Sequence, residues 1–378
     1  MLRRCWLAFL VGLQMFTVAG CWDYRDVNKI SFPATGAYDL HKDSERLPQG
    51  QQRVDLTVII PNLAQDVKKP FRIERTTGTL IGNARGQKPY SSPGIYSAGV
   101  AAVIVFGEDL ARGGLSNMVE ALFRGAQIPK TENFAVAEGR GEDILRAPIK
   151  DYSNIGEYLK GVLKQSEKRG FIPSTTMYQF GVNRTSPGKN PIMPLLTLRN
   201  EKVEVSGTAI FKKDNMIGKA NLDETRSLTM LRGIKASGNI PYIIKQDGQI
   251  VDKGSVDVSS CGGRKVKVNR NGDQFSFLIT ICLEGNLVEH QFNNNFTQNP
   301  DLRKMIENQI ASDVKSDCTK FIEKMQQEYK VDCIDISKYI LAKWRKEFKN
   351  QVDQEGFIEN VEIKVKVKMK LKNVGELT

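Results

Sequence analysis

The spacing of hydrophobic positions changes several times along the chain, and each spacing predicts a different element. A continuous apolar run over residues 100–106 predicts a strand that is buried on both faces. The stretch after it is apolar at helical spacing, at Leu115, Met118, Val119 and Leu122. Residues 132–145 repeat this order, with a short strand that leads into a helix start. Strands that alternate with helices predict an α/β unit with parallel pairing.

The middle of the chain changes from helix to strand patterns. The stretch GEYLKGVLKQSEKRG predicts a helix that ends at Gly170, and residues 172–180 return to an extended pattern. Residues 202–221 alternate as a hairpin whose turn is KKDN. The stretch LDETRSLTMLRG then predicts a compact helix, because acidic residues fill its first turn and Gly233 follows its end. Asp-Gly at 247–248 and Asn-Gly at 271–272 predict two hairpin turns in a strand meander.

Two helices and one strand are predicted near the end of the chain. A long helix over residues 302–329 is indicated by apolar positions every four residues, at Ile306, Ile310, Val314, Cys318 and Ile322. A second helix has the same spacing at Ile336, Ile340, Trp344 and Phe348. Both apolar faces are typical of a protein core.

The last strand alternates apolar residues with lysines. Residues 361–372 read VEIKVKVKMKLK, so one face would pack on a core and the other would carry Lys364, Lys366, Lys368, Lys370 and Lys372. Two interpretations of this lysine ladder are open. It could dock on anionic lipid or an acidic partner, or it could be a solvated face that prevents edge-to-edge aggregation.

These elements predict a mixed α/β or α+β fold with mixed sheets and packed helices. A length of 378 residues is more than one hydrophobic core usually serves. We expect a signal segment at 1–20, an N-terminal mixed α/β domain at 21–202, a middle domain at 203–291 with hairpin, helix and meander, and a C-terminal α/β domain at 292–378.

Composition restricts the chemistry of the chain. Its formal net charge is +12, but it has no zinc finger, RRM signature or basic helix arm, so nucleic-acid binding is not predicted. Only two histidines are present, His41 and His290, which excludes HExxH and three-histidine metal sites. No cofactor or metal is expected. Four cysteines far from the N-terminus allow three disulfide pairings or free thiols: Cys261, Cys282, Cys318 and Cys333.

The N-terminus has the three parts of a secretory signal peptide. Arg3 and Arg4 precede an apolar run that is shorter than the roughly 20 residues of a membrane span. The run ends in small residues at Val18, Ala19, Gly20 and Cys21, which resemble the lipobox of bacterial lipoproteins. This resemblance implies that signal peptidase recognises Val18, Ala19 and Gly20. It also implies that Cys21 receives a diacylglyceryl group and an N-acyl chain.

A set of segments follows in order along nearly the whole chain. GCWDYRDVNKI spans the predicted cleavage site, and VIVFGEDLARGGL and ENFAVAEGRGEDIL form the first two strand–helix units. VEVSGTAIFKKDNMIG is a hairpin with a Gly-Thr-Ala-x-Phe stretch, LDETRSLTMLRG is the helix after it, and QQEYKVDCIDISKYILAKWRKEFKN is an Asp-containing segment with an aromatic helix. Together these segments resemble those of the Ger(x)C lipoproteins, the C subunits of spore germinant receptors.

The resemblance implies a three-domain lipoprotein without catalytic residues on the outer surface of the inner spore membrane. Its partners would be the integral-membrane A and B subunits of a nutrient germinant receptor. No small-molecule ligand is predicted.

A solute-binding or enzymatic surface lipoprotein is the alternative. Carboxylate pairs such as Glu138 with Glu142, or Asp301 with Glu307, could perform acid–base chemistry. A deep cleft between two similar lobes would favour this alternative.

Overall fold

The computed structural model describes residues 30–44, 52–62, 70–79, 95–97, 101–125, 128–149, 154–291 and 300–373, together with positions 6, 84, 99 and 152. Most of these residues belong to two β-sheets and the helices that cover them. A separate pair of short parallel strands is formed by β1 (Ile30–Ser31) and β5 (Ile95–Tyr96).

The first sheet has eight strands in the order β10-β9-β8-β7-β6-β2-β3-β4. Its four central strands, β2, β6, β7 and β8, are parallel to one another, while the outer strands on both sides are joined in antiparallel pairing. The strand bounds are β2 (Thr35–Leu40), β3 (Val54–Pro61), β4 (Phe71–Gly78), β6 (Val103–Gly107), β7 (Asn133–Ala137), β8 (Ile192–Arg199), β9 (Lys202–Lys212) and β10 (Asn215–Asn221). The parallel pairing predicted for the first strand–helix units is confirmed.

Helices cover both faces of this sheet. One face packs against α1 (Glu108–Gly113), α2 (Ser116–Arg124) and α5 (Met177–Thr185). The other packs against α3 (Gly141–Leu145) and α4 (Ile155–Arg169). The four apolar residues predicted to form one face of a helix, Leu115, Met118, Val119 and Leu122, are all buried there. Both faces are covered because the central strands are apolar on both sides.

The prediction of an extended segment at residues 172–180 is wrong from Met177 onward. The chain begins α5 there, because the side chain of Thr176 accepts a hydrogen bond from the backbone N–H of Gln179 and the Gln179 side chain accepts one from the backbone N–H of Thr176. This capping box satisfies two free donors at once and outweighs the local extended pattern.

The second sheet has four strands in the order β11-β12-β13-β14. Their bounds are β11 (Ser237–Gln246), β12 (Gln249–Asn271), β13 (Gln274–His290) and β14 (Glu362–Asn373). The first three form the predicted meander, with Asp247 and Gly248 at positive φ in the first turn. The predicted lysine strand, β14, joins β13 in parallel at the edge of this sheet.

The inner face of the second sheet packs against three helices, α6 (Leu222–Arg232), α7 (Pro300–Lys324) and α8 (Ser337–Phe348). The α7 helix continues into a π-helical turn, Met325–Tyr329. Gly233 ends α6 in the left-handed conformation, as its position predicts. The outer face of the sheet carries no packed helix in the described part of the chain.

The two sheets agree with a mixed α+β fold, so the predicted fold class is confirmed. The predicted boundary between residues 202 and 203 falls within the first sheet, because β8 and β9 pair with each other there. The predicted boundary between residues 291 and 292 falls within the second sheet, because β13 before it pairs with β14 after it. The division into segments 21–202, 203–291 and 292–378 stays a prediction.

Candidate functional site

The residues predicted for lipidation lie outside the described residues. These are Cys21, with Val18, Ala19 and Gly20 before it. Within the part of the chain that the structure describes, no helix has the length and apolarity needed to cross a bilayer. The chemistry of the described part is therefore built from two other features, an ionic cluster in the first sheet and a lysine-rich face on the second.

The ionic cluster begins with Asp39 in β2. Its carboxylate accepts hydrogen bonds from the backbone N–H groups of Gly141 (2.6 Å) and Glu142 (2.9 Å), at the start of α3. A β-carbon at Gly107 would lie 2.2 Å from Oδ1 of Asp39, so glycine there allows the close approach. Burial raises the pKa of Asp39, although these two amides and Arg140 oppose the rise.

Asp55, on the neighbouring strand β3, is the centre of the cluster. Its side chain has no exposed area and receives hydrogen bonds from Arg75 Nη2 (2.6 Å) and Thr77 Oγ1 (2.6 Å). His41 Nδ1 lies 2.8 Å from it, and Arg140 Nη2 lies 3.2 Å away. Burial alone would raise the pKa of Asp55, but the hydrogen bonds from Thr77, Arg75 and His41 outweigh burial and hold it at about 2.

Glu142 completes the ionic cluster, which we define as Asp39, His41, Asp55, Arg75, Arg140 and Glu142. Its carboxylate accepts a hydrogen bond from Arg146 (2.8 Å) and lies 3.4 Å from Arg140 and 3.5 Å from Arg75. Three carboxylates are thus opposed by guanidinium groups at close range. Such an arrangement fixes α3 against the sheet and stabilises the fold when every charge keeps its partner.

The geometry of the cluster does not suit nucleophilic catalysis. His41 bonds Asp55 through Nδ1, as a catalytic histidine would, but its Nε2 lies 3.3 Å from the carboxylate of Asp43. A triad needs a serine or cysteine at that nitrogen. Among the described residues, no group of three or more His, Cys, Asp or Glu side chains could hold a metal ion.

The carboxylate pairs considered for acid–base chemistry have separate partners. Glu142 belongs to the ionic cluster, and Glu138 lies 3.8 Å from Lys219. Glu307 accepts a hydrogen bond from the backbone N–H of Leu371 (2.8 Å), which attaches α7 to β14. These contacts give Glu142 and Glu307 structural roles.

Seven of the exposed lysines on the outer face of the second sheet form a group that we call the basic face. They are Lys265, Lys267, Lys364, Lys366, Lys368, Lys370 and Lys372. The register of β13 and β14 places Lys366 beside Thr280 and Lys368 beside Cys282. Lys364 pairs with Glu362 (2.7 Å) and Lys372 with Glu284 (2.7 Å). The alternation predicted for the terminal strand is confirmed.

A buried polar joint connects the two sheets. Arg232 of α6 donates hydrogen bonds to the carbonyls of Cys333 (2.9 Å) and Asn190 (3.2 Å), and it lies 3.2 Å from the Asp335 carboxylate. The Asn190 side chain donates to the carbonyl of Asp332 (3.2 Å) and accepts from the backbone N–H of Lys213 (3.1 Å). These hydrogen bonds join segments that are far apart in sequence, so they hold the half built on the first sheet and the half built on the second sheet in one arrangement.

Cys261, Cys282, Cys318 and Cys333 are free thiols. Cys318 and Cys333 are buried, and burial raises the pKa of the Cys318 thiol to about 12 and also raises that of Cys333. Cys282 lies opposite a bulge that contains Cys261, and a hydrogen bond with Cys261 raises the pKa of the Cys282 thiol. A raised pKa lowers thiolate content, so the thiols of Cys282, Cys318 and Cys333 are unsuited to nucleophilic catalysis.

Three pockets lined by described residues differ from the deep cleft of a two-lobed solute-binding protein. The gap between the two sheets, beside Asn190 and Asp332, has a volume of about 40 Å³. A larger pocket of about 390 Å³ lies at one end of the second sheet, next to Phe275 and Phe357. Another, of about 380 Å³, lies beside Tyr152 and Tyr158 at the β8–β9 turn. The two larger pockets each belong to one half of the molecule rather than to a cleft between lobes.

Comparison with known families matches both halves of the chain. The family described as "Spore germination protein N-terminal domain" matches residues 23–198. The family described as "Spore germination B3/ GerAC like, C-terminal" matches residues 206–375. Together these two matches cover most of the sequence and both sheets.

Individual relatives agree with the family matches. Spore germination protein B3 of Bacillus subtilis (strain 168) is 24% identical over 342 residues, or 86% of each chain. Putative spore germination protein YfkR of the same organism is 22% identical over 342 residues, covering 86% of this chain and 84% of YfkR. Spore germination protein GerQC of Bacillus cereus is 23% identical over 216 residues, so in that match the chain spans 57% of GerQC.

A solved structure has the same fold. The crystal structure of the GerBC protein superposes with a TM-score of 0.56 and 17% identity, covering 88% of this chain and 97% of GerBC. At this identity the likeness concerns the fold alone. The three relatives named above are all described as spore germination proteins and not as enzymes. With both halves matched, the chain belongs to the Ger(x)C family of spore germination proteins.

Proposed function

We propose that this protein is a non-enzymatic lipoprotein subunit of a nutrient germinant receptor. The observation that carries the proposal is the match of both halves to spore germination families, together with the likeness to the GerBC fold. The described residues support a scaffold role, because the carboxylates of the ionic cluster are paired and the histidine within it faces acids on both nitrogens.

The proposed anchor is a lipid on Cys21. A short apolar run with basic residues before it and small residues after it supports cleavage before this cysteine. One acyl chain binds a membrane only marginally, whereas two or three chains on one residue hold a protein there stably. Anchoring in this way would place the folded chain on the outer surface of the inner spore membrane, beside integral-membrane A and B subunits.

The anchor is tested by Cys21→Ala in the full chain, with Cys5→Ala as the matched control. We expect Cys21→Ala to abolish lipid labelling, to release the chain from the spore membrane fraction and to slow nutrient-triggered germination. The Cys5→Ala chain should behave like the parent, because Cys5 lies within the predicted signal peptide. Unchanged membrane retention and lipid labelling of Cys21→Ala would refute the lipoprotein proposal.

The receptor role needs a separate measurement. The tagged parent chain, extracted from spores in mild detergent, should co-purify with polytopic membrane proteins of the A and B kind. A lipidated chain that co-purifies with neither would contradict the receptor proposal and leave the lipoprotein proposal standing. Germination that proceeds normally in a deletion strain, with each nutrient tested, would contradict it as well.

A further inference from the structure

The basic face differs from the other face of the same strands because none of the described elements covers it. Inward-facing residues such as Ile279, Ile281 and Val365 are buried beneath helices, while the lysines between them are exposed. Side chains two residues apart in a strand lie about 6.7 Å from each other, so Lys364 to Lys372 form a row about 27 Å long. Lys265 and Lys267 on β12 add a second row two strands away.

The acids beside the basic face neutralise only its ends. Glu362 pairs with Lys364 and Glu284 with Lys372. Lys366, Lys368 and Lys370 have no ion-pair partner among the residues that the structure describes, nor have Lys265 and Lys267. Five positive charges are therefore concentrated on the middle of one flat surface, and such a surface attracts anions.

We infer that the basic face binds an anionic lipid surface. A protein partner is less well matched, because the cores of protein interfaces are rich in aromatic residues and arginine and poor in lysine. The outward-facing positions of the four described strands carry lysine, acidic, small polar and aliphatic residues and no aromatic ones. An anionic membrane, by contrast, attracts clustered lysines through its surface charge and needs no pocket for a side chain.

The inference deepens the proposed function, since it rests on the lipid anchor that would hold the chain near the bilayer. An anchor alone leaves the orientation of the folded chain free. Electrostatic contact through one face would turn the second sheet toward the headgroups. The opposite side of the same half, with α7 on its surface, would then face away from the membrane.

The test uses the full chain carrying Cys21→Ala, so that lipidation makes no contribution. Binding is measured by flotation with vesicles of phosphatidylcholine alone and with vesicles containing phosphatidylglycerol. The ratio of the two partition coefficients removes any contribution of the apolar N-terminus that is common to both. We expect a strong preference for the anionic vesicles that decreases as salt is raised.

The decisive variant is the combination Lys366→Gln, Lys368→Gln and Lys370→Gln. Each lysine near an anionic membrane contributes about fivefold to binding, so the preference should fall by about 100-fold. The matched control is Lys304→Gln, Lys315→Gln and Lys320→Gln, which removes the same charge from exposed positions of α7. The control should lose less than about threefold, because those charges lie more than a Debye length from the vesicle.

Several outcomes would overturn the inference. One is an absence of preference for anionic vesicles in the parent; another is an equal loss in both triple variants, which would reflect net charge alone. If the triple glutamine variant of Lys366, Lys368 and Lys370 keeps its preference for anionic vesicles but no longer binds polyglutamate, the partner is an acidic protein instead. If the glutamine variant fails to fold, the triple Lys→Arg variant at the same three positions is used instead. It keeps the positive charges, so it should keep the preference for anionic vesicles, and a loss of that preference would refute the inference. Vesicle binding uses unlipidated protein, so its failure is distinguishable from a failure of the anchor in spores.

Discussion

Replacing Asp55 by asparagine tests whether the ionic cluster holds the first half of the molecule together. The substitution keeps the size of the side chain and its ability to accept a hydrogen bond, but it removes the negative charge. Arg75 and Arg140 lie 2.6 and 3.2 Å from the Asp55 carboxylate. Without that charge, Arg75 would keep its contact with Glu142 at 3.5 Å, and Arg140 would keep its contacts with Glu142 at 3.4 Å, Asp39 at 3.9 Å and the Leu40 carbonyl at 3.2 Å. The cost is therefore electrostatic and can be followed with pH.

The magnitude follows from the pKa of Asp55. Its ordinary value of 3.8 is lowered to about 2 in the folded chain, and each unit corresponds to about 1.4 kcal/mol. Because the folded pKa is the lower one, the ionised carboxylate stabilises the fold above the unfolded value, and this stabilisation disappears as the pH falls toward 2. It amounts to about 2 kcal/mol at pH 7 and about 1 kcal/mol at pH 3.

The free energy of unfolding is measured by urea titration with circular dichroism at pH 7 and at pH 3. Hydrogen exchange of peptides covering Val54–Pro61 supplies a local readout. Asp43→Asn is the matched control, because Asp43 contacts the same His41 but is 85% exposed, and it should cost less than about 0.5 kcal/mol. A loss below about 0.5 kcal/mol for Asp55→Asn at pH 7, or a difference from the parent that does not shrink at pH 3, would refute the reasoning.

Three further outcomes are expected. Asn190→Ala removes a buried side chain that bonds both halves of the molecule, so urea titration should show a loss of about 2 kcal/mol, and a neutral result would show that the joint is dispensable. Gly207→Ala should lower the free energy of unfolding by about 3 kcal/mol, because the new β-carbon would lie 2.0 Å from the Ala220 carbonyl oxygen. The control is Gly113→Ala, which should be neutral within about 1 kcal/mol because no atom lies within 4 Å of its new β-carbon. In native protein, iodoacetamide should label the half-buried Cys261 and Cys282 before the buried Cys318 and Cys333, as followed by peptide mass spectrometry. All four should be labelled in urea. Equal labelling rates in the native protein would contradict the described burial.

Local sequence signals were sufficient for most of the elements. Asp-Gly at 247–248 fixed a hairpin turn because both residues tolerate positive φ, and Asn221 with Glu224 forms the capping box that begins α6. The same type of signal is present at Thr176 and Gln179, and it outweighs the extended pattern predicted for residues 172–180. A threonine followed three residues later by glutamine is readable from sequence alone.

The partners of each strand could not be predicted in this way. The hairpin at residues 202–221 alternates like any two-stranded unit, and nothing in that alternation shows that β9 bonds to β8. Likewise β14 is separated from β13 by both C-terminal helices, and its parallel pairing follows from the packing of α7 and α8. Pairing between distant strands depends on tertiary contacts that have no local signature.

The ionic cluster has the same origin. Asp39 and Gly141 are separated by 102 positions, and their hydrogen bond exists only because β2, β6 and β7 are neighbours in one sheet. The partial signal was the stretch Gly139-Arg140-Gly141, two glycines around an arginine at the end of a strand. Such a turn indicates a close approach of backbone to another group, but it does not identify that group.

The two interpretations of the lysine ladder now lead to different measurements on the same variant. Charged residues on an edge strand oppose pairing with a second chain, and β14 is an edge strand. Part of that edge is already occupied, since α7 bonds the backbone of Leu371 through Arg303 and Glu307. If edge protection were the main role of the lysines, the Lys366→Gln, Lys368→Gln and Lys370→Gln chain would associate as concentration rises, which light scattering would detect. Strand side chains stand perpendicular to the sheet, so these lysines point away from the edge along which a second chain would pair. We therefore expect the variant to associate no more than the parent does, while its preference for anionic vesicles falls. Association without a change in vesicle preference would instead assign the lysines to the edge.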